Sequence, residues 1–96
     1  MNTFYVLIYS YYDSDNNYIN ELLSDMVFSN IDSAEKELEY IIQNNPSTLN
    51  WSKVETSMLD YDYEEDVIWC EYYNRNGRLY VKHNQYYYIK HMNMVE

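Results

Sequence analysis

One cysteine, one glycine and one proline are all that the chain carries of each, and each scarcity removes a class of protein. A lone Cys70 allows neither an intrachain disulfide nor a cysteine-built metal cluster. It fits a reducing interior, so a cytoplasmic location is expected, that of the host cell if a phage encodes the chain. A lone Gly77 leaves no glycine-rich loop to cradle a phosphate. With so little glycine and proline there is no room for a flexible linker, and 96 residues read as one domain spanning 1–96. No apolar run approaches the ~18 residues a membrane span needs. Phe4–Ile8 is apolar, but no Lys or Arg precedes it and no small-residue cleavage site follows, so it does not read as a secretory leader.

Positive charge is scarce too. Six bases against sixteen acids give a formal charge of −10, which repels nucleic acid and anionic membranes and attracts cationic partners. The signs are segregated along the chain. Lys36 and Lys53 are the only bases before residue 72, whereas Arg75, Arg78, Lys82 and Lys90 face only Glu96 in the last third. Four bases cannot carry a domain of this charge onto a polyanion, so no direct nucleic-acid contact is expected. The basic third is expected to offset acids of the same molecule or of a dimer mate.

What the chain does have is apolar and aromatic mass: 47% hydrophobic residues, including fourteen tyrosines. That content argues against disorder. Tyrosine favours strands and also suits contact surfaces, because a large apolar ring carries a polar tip. Residues 3–12 (TFYVLIYSYY) form an almost unbroken apolar run and predict a strand buried on both faces and central in its sheet. Asp13 to Asn17 is a cluster of turn formers. Residues 18–28 carry two patterns: Ile19, Leu22, Leu23 and Met26 suit a helix, Val27 and Phe28 a strand, and the favoured reading is a strand pairing back onto the first. Ser29, three residues before Asp32, reads as a helix N-cap. Ile31, Ala34, Leu38, Ile41 and Ile42 then form one apolar stripe, with Glu35, Glu37 and Glu39 toward water and Asn44-Asn45-Pro46 as the stop. Residues 47–53 read as loop and 54–59 as a short strand with Val54, Thr56 and Met58 on one side.

Asn76-Gly77 marks a hairpin, because a type I′ turn needs positive φ at both positions. It sets Tyr73 opposite Tyr80, Tyr72 opposite Val81 and Glu71 opposite Lys82. Ile68, Cys70, Tyr72, Leu79 and Val81 would share one face of strands 67–73 and 79–82; Trp69, Glu71, Tyr73, Tyr80 and Lys82 would share the other. After a turn at 83–85, residues 86–92 form the last strand. The predicted class is α+β, a single antiparallel sheet of about four to six strands with one helix on one face, in the order β-β-α-(β)-β-β-β.

Catalytic candidates are weak. Cys70 falls on the apolar hairpin face and reads as a small core residue. His83 and His91 read as surface residues with no ligand-like spacing, so no enzyme is expected. Asp13, Asp15 and Asn17 begin like a calcium loop, but Tyr18 stands where glycine should be and Ser24 where the bidentate glutamate should be. A polar turn is expected there, and no metal or cofactor.

The candidate site is the acidic-aromatic run Asp60, Tyr61, Asp62, Tyr63, Glu64, Glu65, Asp66, extended by Asp13 and Asp15. Five like charges in seven positions disfavour regular pairing, so the run reads as a loop or a frayed strand end. If its backbone is extended, alternate carboxylates stand about 7 Å apart, near the spacing of DNA phosphates, and tyrosine is favoured at interface hot spots.

Residues 3–42 resemble a group of short phage and bacterial proteins of β-β-α order. The resemblance rests on Tyr5-Val6, the acidic turn Asp13–Asp15, Val27-Phe28-Ser29 and Ala34-Glu35. In size, charge and composition the whole chain resembles small acidic phage proteins that disarm host defences, including anti-CRISPR proteins and DNA mimics. That resemblance implies an inhibitor whose partner is a basic, nucleic-acid-binding host nuclease or effector. Two other readings stand beside it: an immunity-type protein that neutralises a nuclease toxin, and a homodimeric accessory protein paired through a tyrosine-rich sheet edge.

Overall fold

The computed structural model describes residues 2–95. Strand β1 (Thr3–Tyr12) turns through the acidic cluster into β2 (Tyr18–Leu22); helix α1 (Ile31–Gln43) follows, then β3 (Ser52–Glu55), β4 (Val67–Cys70), β5 (Tyr72–Arg75), β6 (Arg78–Val81) and β7 (Gln85–Asn93). The class is α+β, as the sequence predicts. Five strands form an antiparallel sheet in the order β2-β1-β7-β4-β3, and β5 and β6 form a separate two-stranded sheet.

β1 is an interior strand, paired with β2 on one side and with β7 on the other from Thr3↔Asn93 to Tyr11↔Gln85. The middle position, however, belongs to β7. Its Tyr86-Tyr87-Tyr88 run is buried on both faces, Tyr86 and Tyr88 toward one and Tyr87 toward the other. A strand alternates its side chains between faces, so three consecutive buried tyrosines require cover above and below.

Helix α1 supplies one cover. Ala34, Leu38 and Ile42, spaced by four, bury themselves against Leu7, Trp69 and Tyr87. Trp51 adds its ring to Tyr87 at 4.5 Å between centroids. The other cover comes from the chain between β3 and β7. Leu59, Leu79, Val81 and Tyr63 pack on Val6, Ile8, Ile68, Cys70, Tyr86 and Tyr88. The sheet is therefore sandwiched between a helix and a hairpin-plus-loop layer.

Several local expectations need correction. The strand predicted over 67–73 breaks at Glu71: β4 stays in the main sheet, and β5 leaves it to fold with β6 over the second face. The predicted register holds, with Tyr73↔Tyr80 and Tyr72↔Val81, and Lys82 Nζ lies 3.1 Å from Glu71 Oε2. The predicted faces hold for Ile68, Cys70, Leu79 and Val81, which share the second-face core, and for Trp69, which lies on the opposite face under the helix; only Tyr72 departs, being exposed. Alternation reveals which residues share a face, not where a strand changes sheets.

The helix cap is Asn30 rather than Ser29, its side chain accepting from the Ser33 backbone N–H at 2.9 Å. Regular pairing of the second strand ends at Leu22, and Phe28 rejoins the sheet through a single bridge to Tyr5. The strand expected over 54–59 starts earlier and ends at Glu55. A 3-10 turn at Thr56–Met58 follows, leaving Val54 buried and Met58 exposed. A second 3-10 turn occupies Pro46–Thr48 in the predicted loop. Glu35 is half-buried and 3.3 Å from Lys53 Nζ, so it ties the helix to β3 instead of standing free in water.

Candidate functional site

The acidic-aromatic run is the lip of a closed loop. Thr56 holds its neck: its backbone N–H donates to Asp66 O at 2.9 Å and its hydroxyl donates to Glu65 O at 2.6 Å. Residues 56–66 thus leave the sheet and return to the same place, a compact loop packed by its own side chains. The hairpin grips its start, since Leu59 bridges Leu79 and the Asp60 N–H donates to Leu79 O at 2.9 Å.

Within the loop the seven predicted residues separate by role. Asp60 is 3.7 Å from Arg78, an exposed pair of little energetic weight. Tyr63 turns inward, half-buried, meeting Tyr86 edge-on at 5.4 Å. Burial pushes its hydroxyl up to about 12. Tyr61 stays 65% exposed and leans edge-on against Tyr63 at 5.5 Å. Asp62, Glu64 and Asp66 are exposed. Glu65 is half-buried, and one carboxylate oxygen, Oε2, is buried without a hydrogen-bond partner. Burial raises its pKa and the neighbouring Glu64 charge adds to that, against lowering by its own backbone N–H, the Tyr86 hydroxyl and Lys90. The run bends instead of extending, so the regular 7 Å ladder of carboxylates expected from extended backbone is not formed. Two side chains point into the protein and one into an ion pair.

Behind the lip lies a cleft of about 480 Å³. Its loop wall is Tyr61, Asp62, Tyr63, Glu64 and Glu65; the end of the β1–β2 hairpin contributes Tyr12, Asn16 and Tyr18; the β5–β6 hairpin contributes Tyr73 and Tyr80, and β7 contributes Tyr86. Seven of the fourteen tyrosines therefore line one concavity, with three carboxylates and no Lys, Arg or His. The rings are coupled. Tyr12 and Tyr18 lie 5.3 Å apart, and the Tyr18 and Tyr86 hydroxyls share a hydrogen bond. Burial is the largest cause raising the pKa of both Tyr12 and Tyr86.

The acidic turn reaches this cleft in part. Asn16, at positive φ, lines it, while Asp13 is occupied in holding the turn. Asp13 Oδ1 accepts the Asp15 and Asn17 backbone N–H groups, each at 2.9 Å, and these bonds keep its carboxyl below the usual aspartate range. Asp15 is exposed beside it. Glu21 goes to the helix side, where the Tyr11 hydroxyl donates to it at 2.9 Å.

Cys70 and the two histidines fall where the sequence expects them. Cys70 is fully buried in the second-face core, which pushes its thiol up to about 12. His83 and His91 are exposed. Among the described residues no group of three His, Cys, Asp or Glu side chains could hold a metal ion, and no helix is long and apolar enough to cross a membrane.

Sequence reasoning missed Tyr12, Tyr18, Tyr73, Tyr80 and Tyr86 as partners of the acidic run. Their common signal, tyrosine within or at the end of a strand, is also that of any half-buried sheet, so only the fold separates the two. No family model, curated protein or solved structure matches the chain.

Proposed function

We propose that this chain is a non-enzymatic, phage-encoded inhibitor that binds a basic, nucleic-acid-binding host defence protein, such as a CRISPR nuclease, through the 56–66 loop and the cleft behind it. The observation that carries this reading is the cleft's composition: tyrosine rings and three carboxylates, with no cation among its lining residues. No ion pair among the described residues engages Asp62, Glu64 or Glu65 either. A concave surface of this size and mixed character suits binding, and its charge selects a cationic partner. The inhibitor acts by occupying a nucleic-acid groove. Asp62 and Glu64 take the place of phosphates against Lys and Arg, and exposed Tyr61 fills an apolar gap. Because the run is bent, the mimicry is of local charge and bulk rather than of a regular phosphate repeat.

The test pairs Asp62→Lys/Glu64→Lys with a control, Asp25→Lys/Glu39→Lys, whose sites are exposed and outside the cleft. Both changes shift the net charge equally. Capture of a basic protein from host lysate at low salt should be lost with the first pair, because like charges would meet across the interface at a cost of several kcal/mol, and should survive the second. Equal loss in both would leave net charge as the only determinant and defeat the assignment of the site. If the captured partner is a toxin encoded beside this gene, the immunity reading replaces the inhibitor reading.

A further inference from the structure

We propose that the tyrosine cleft is a guanidinium site that takes one arginine side chain of the partner protein. This rests on the reading of the cleft as the partner-contact surface and specifies what enters it.

The cleft's chemistry narrows the ligand class. No base lines it, so an anion would meet Asp62, Glu64 and Glu65 with nothing to neutralise it. No metal-ligating cluster is found among the described residues, so a bare divalent ion has no seat. Its volume of about 480 Å³ lies in the range of small-molecule sites, room for a whole side chain rather than a small ion. What fits aromatic faces and carboxylates together is an organic cation, held by ring quadrupoles and by charge-assisted hydrogen bonds.

Between the two common side-chain cations the chemistry favours arginine. The rings of Tyr12, Tyr18, Tyr61 and Tyr63 line the cleft beside its carboxylates, and the planar, weakly hydrated guanidinium stacks on aromatic rings while its fork of donors reaches a carboxylate bidentately. An ammonium is a compact, strongly hydrated charge that would lose more water on entry. The walls are also set in advance. Tyr63 is wedged against Tyr86, and the Tyr86 hydroxyl is tied to that of Tyr18, so little rotamer freedom remains to be lost on binding. Tyr61, the most exposed ring of the loop, stands at the lip, where it can lie along an inserted side chain.

The experiment titrates the isotope-labelled protein with an end-capped Gly-Arg-Gly peptide and follows the tyrosine ring signals by NMR. Capped Gly-citrulline-Gly, a neutral isostere, and capped Gly-Lys-Gly are the comparators, and free arginine is a further arm. Saturable shifts confined to Tyr12, Tyr18, Tyr61 and Tyr63 are expected with the arginine peptide. Binding should be at least tenfold weaker with citrulline and severalfold weaker with lysine. Asp62→Asn and Tyr61→Ala, both at exposed positions, should each weaken the arginine peptide severalfold while leaving the protein's melting temperature in place. Equal binding of citrulline, lysine binding as tight as arginine, or shifts spread evenly over acids remote from the cleft would overturn the assignment. Free arginine binding tenfold tighter than the capped peptide would overturn the partner side chain as its source. If the arginine peptide fails in the cleft while Asp62 and Glu64 still govern capture of a basic protein, the guanidinium site falls and the proposed function stands.

Discussion

Glu65 is the residue at which stability and surface chemistry pull apart. Its partial burial, with one oxygen unpaired, raises its pKa, so folding favours the protonated acid more than the unfolded chain does. The sign follows directly. The favourable contribution is complete below the ordinary glutamate pKa and is lost as pH rises through the higher folded value. Glu65→Gln should therefore stabilise the protein at pH 7 by about 1 kcal/mol, the low end for an unpaired acceptor because the side chain is partly exposed. The gap between variant and parent should close below about pH 4. Urea melts across that range measure it, and a constant gap would show that the carboxylate's charge is not the cause. Tyrosines of the same loop give a matched contrast. Tyr63→Ala should cost about 2 kcal/mol, since it empties a ring's space against Tyr86 and the second-face core. Tyr61→Ala should fall within about 0.5 kcal/mol of the parent, because little of that ring is covered. The same chemical change a few ångströms apart thus separates a structural tyrosine from one available for contact.

Elements in this fold are set by short-range chemistry and then repositioned by what they must cover. Helix α1 shows the first half: its stop, its length and the Ala34, Leu38 and Ile42 part of its stripe follow from the sequence, while Ile31 is left 39% exposed and the cap is displaced by one residue. Asn30 and Ser29 both offer a capping oxygen, and the chain uses the one whose side chain reaches the Ser33 N–H. Asn30→Ala should accordingly destabilise by about 1 kcal/mol, whereas Ser29→Ala should be nearly neutral; denaturant midpoints of the two variants decide it. The β5–β6 hairpin shows the second half. Asn76 and Gly77 have positive φ (55° and 84°), so the turn and its register were legible. The break at Glu71 was not, because nothing in an alternating pattern marks the residue at which a strand must leave one sheet to lie across another. His83 and Asn84, both at positive φ (60° and 50°), reverse the chain from β6 into β7 and deliver that strand to the middle of the main sheet.

At the scale of the molecule, charge is arranged rather than merely present. Arg78 and Lys82 of the basic third each lie within ion-pair reach of an acid, Asp60 and Glu71. Part of the basic third is thus spent on neighbours, as the sequence suggests. The tyrosine-rich strands β1 and β7 are interior, and of the edges of the five-stranded sheet, β2 and β3, only β2 carries a tyrosine, Tyr18. A homodimer through a tyrosine-rich edge would use the two-stranded sheet, where β5 offers Tyr72 and Tyr73, both exposed, and β6 offers Tyr80. If the cleft and its lip make the partner contact electrostatically, affinity should fall about tenfold or more as ionic strength rises from about 0.1 M to about 1 M, with the screening length dropping from ~10 to ~3 Å. Elution of the captured partner over a salt gradient measures this. A complex that resists the gradient would assign the interface to apolar tyrosine packing instead.

The sequence by itself determined the α+β class, the helix and its apolar stripe, the hairpin turn and its register, the core position of Cys70 and the segregation of charge. All of these arise from interactions between residues near in the chain, through period, turn chemistry and composition, and so leave local marks. The tertiary structure alone decided that β7 occupies the centre of the sheet, that β4 and β5 belong to different sheets, and that the acidic run closes at Thr56 into a loop facing Tyr12, Tyr18, Tyr80 and Tyr86. Those outcomes depend on which of several equally apolar strands pair and on which surfaces remain to be covered. Such choices are made between residues as far apart in the chain as Tyr18 and Tyr86, where burial is shared and no local pattern records the partner.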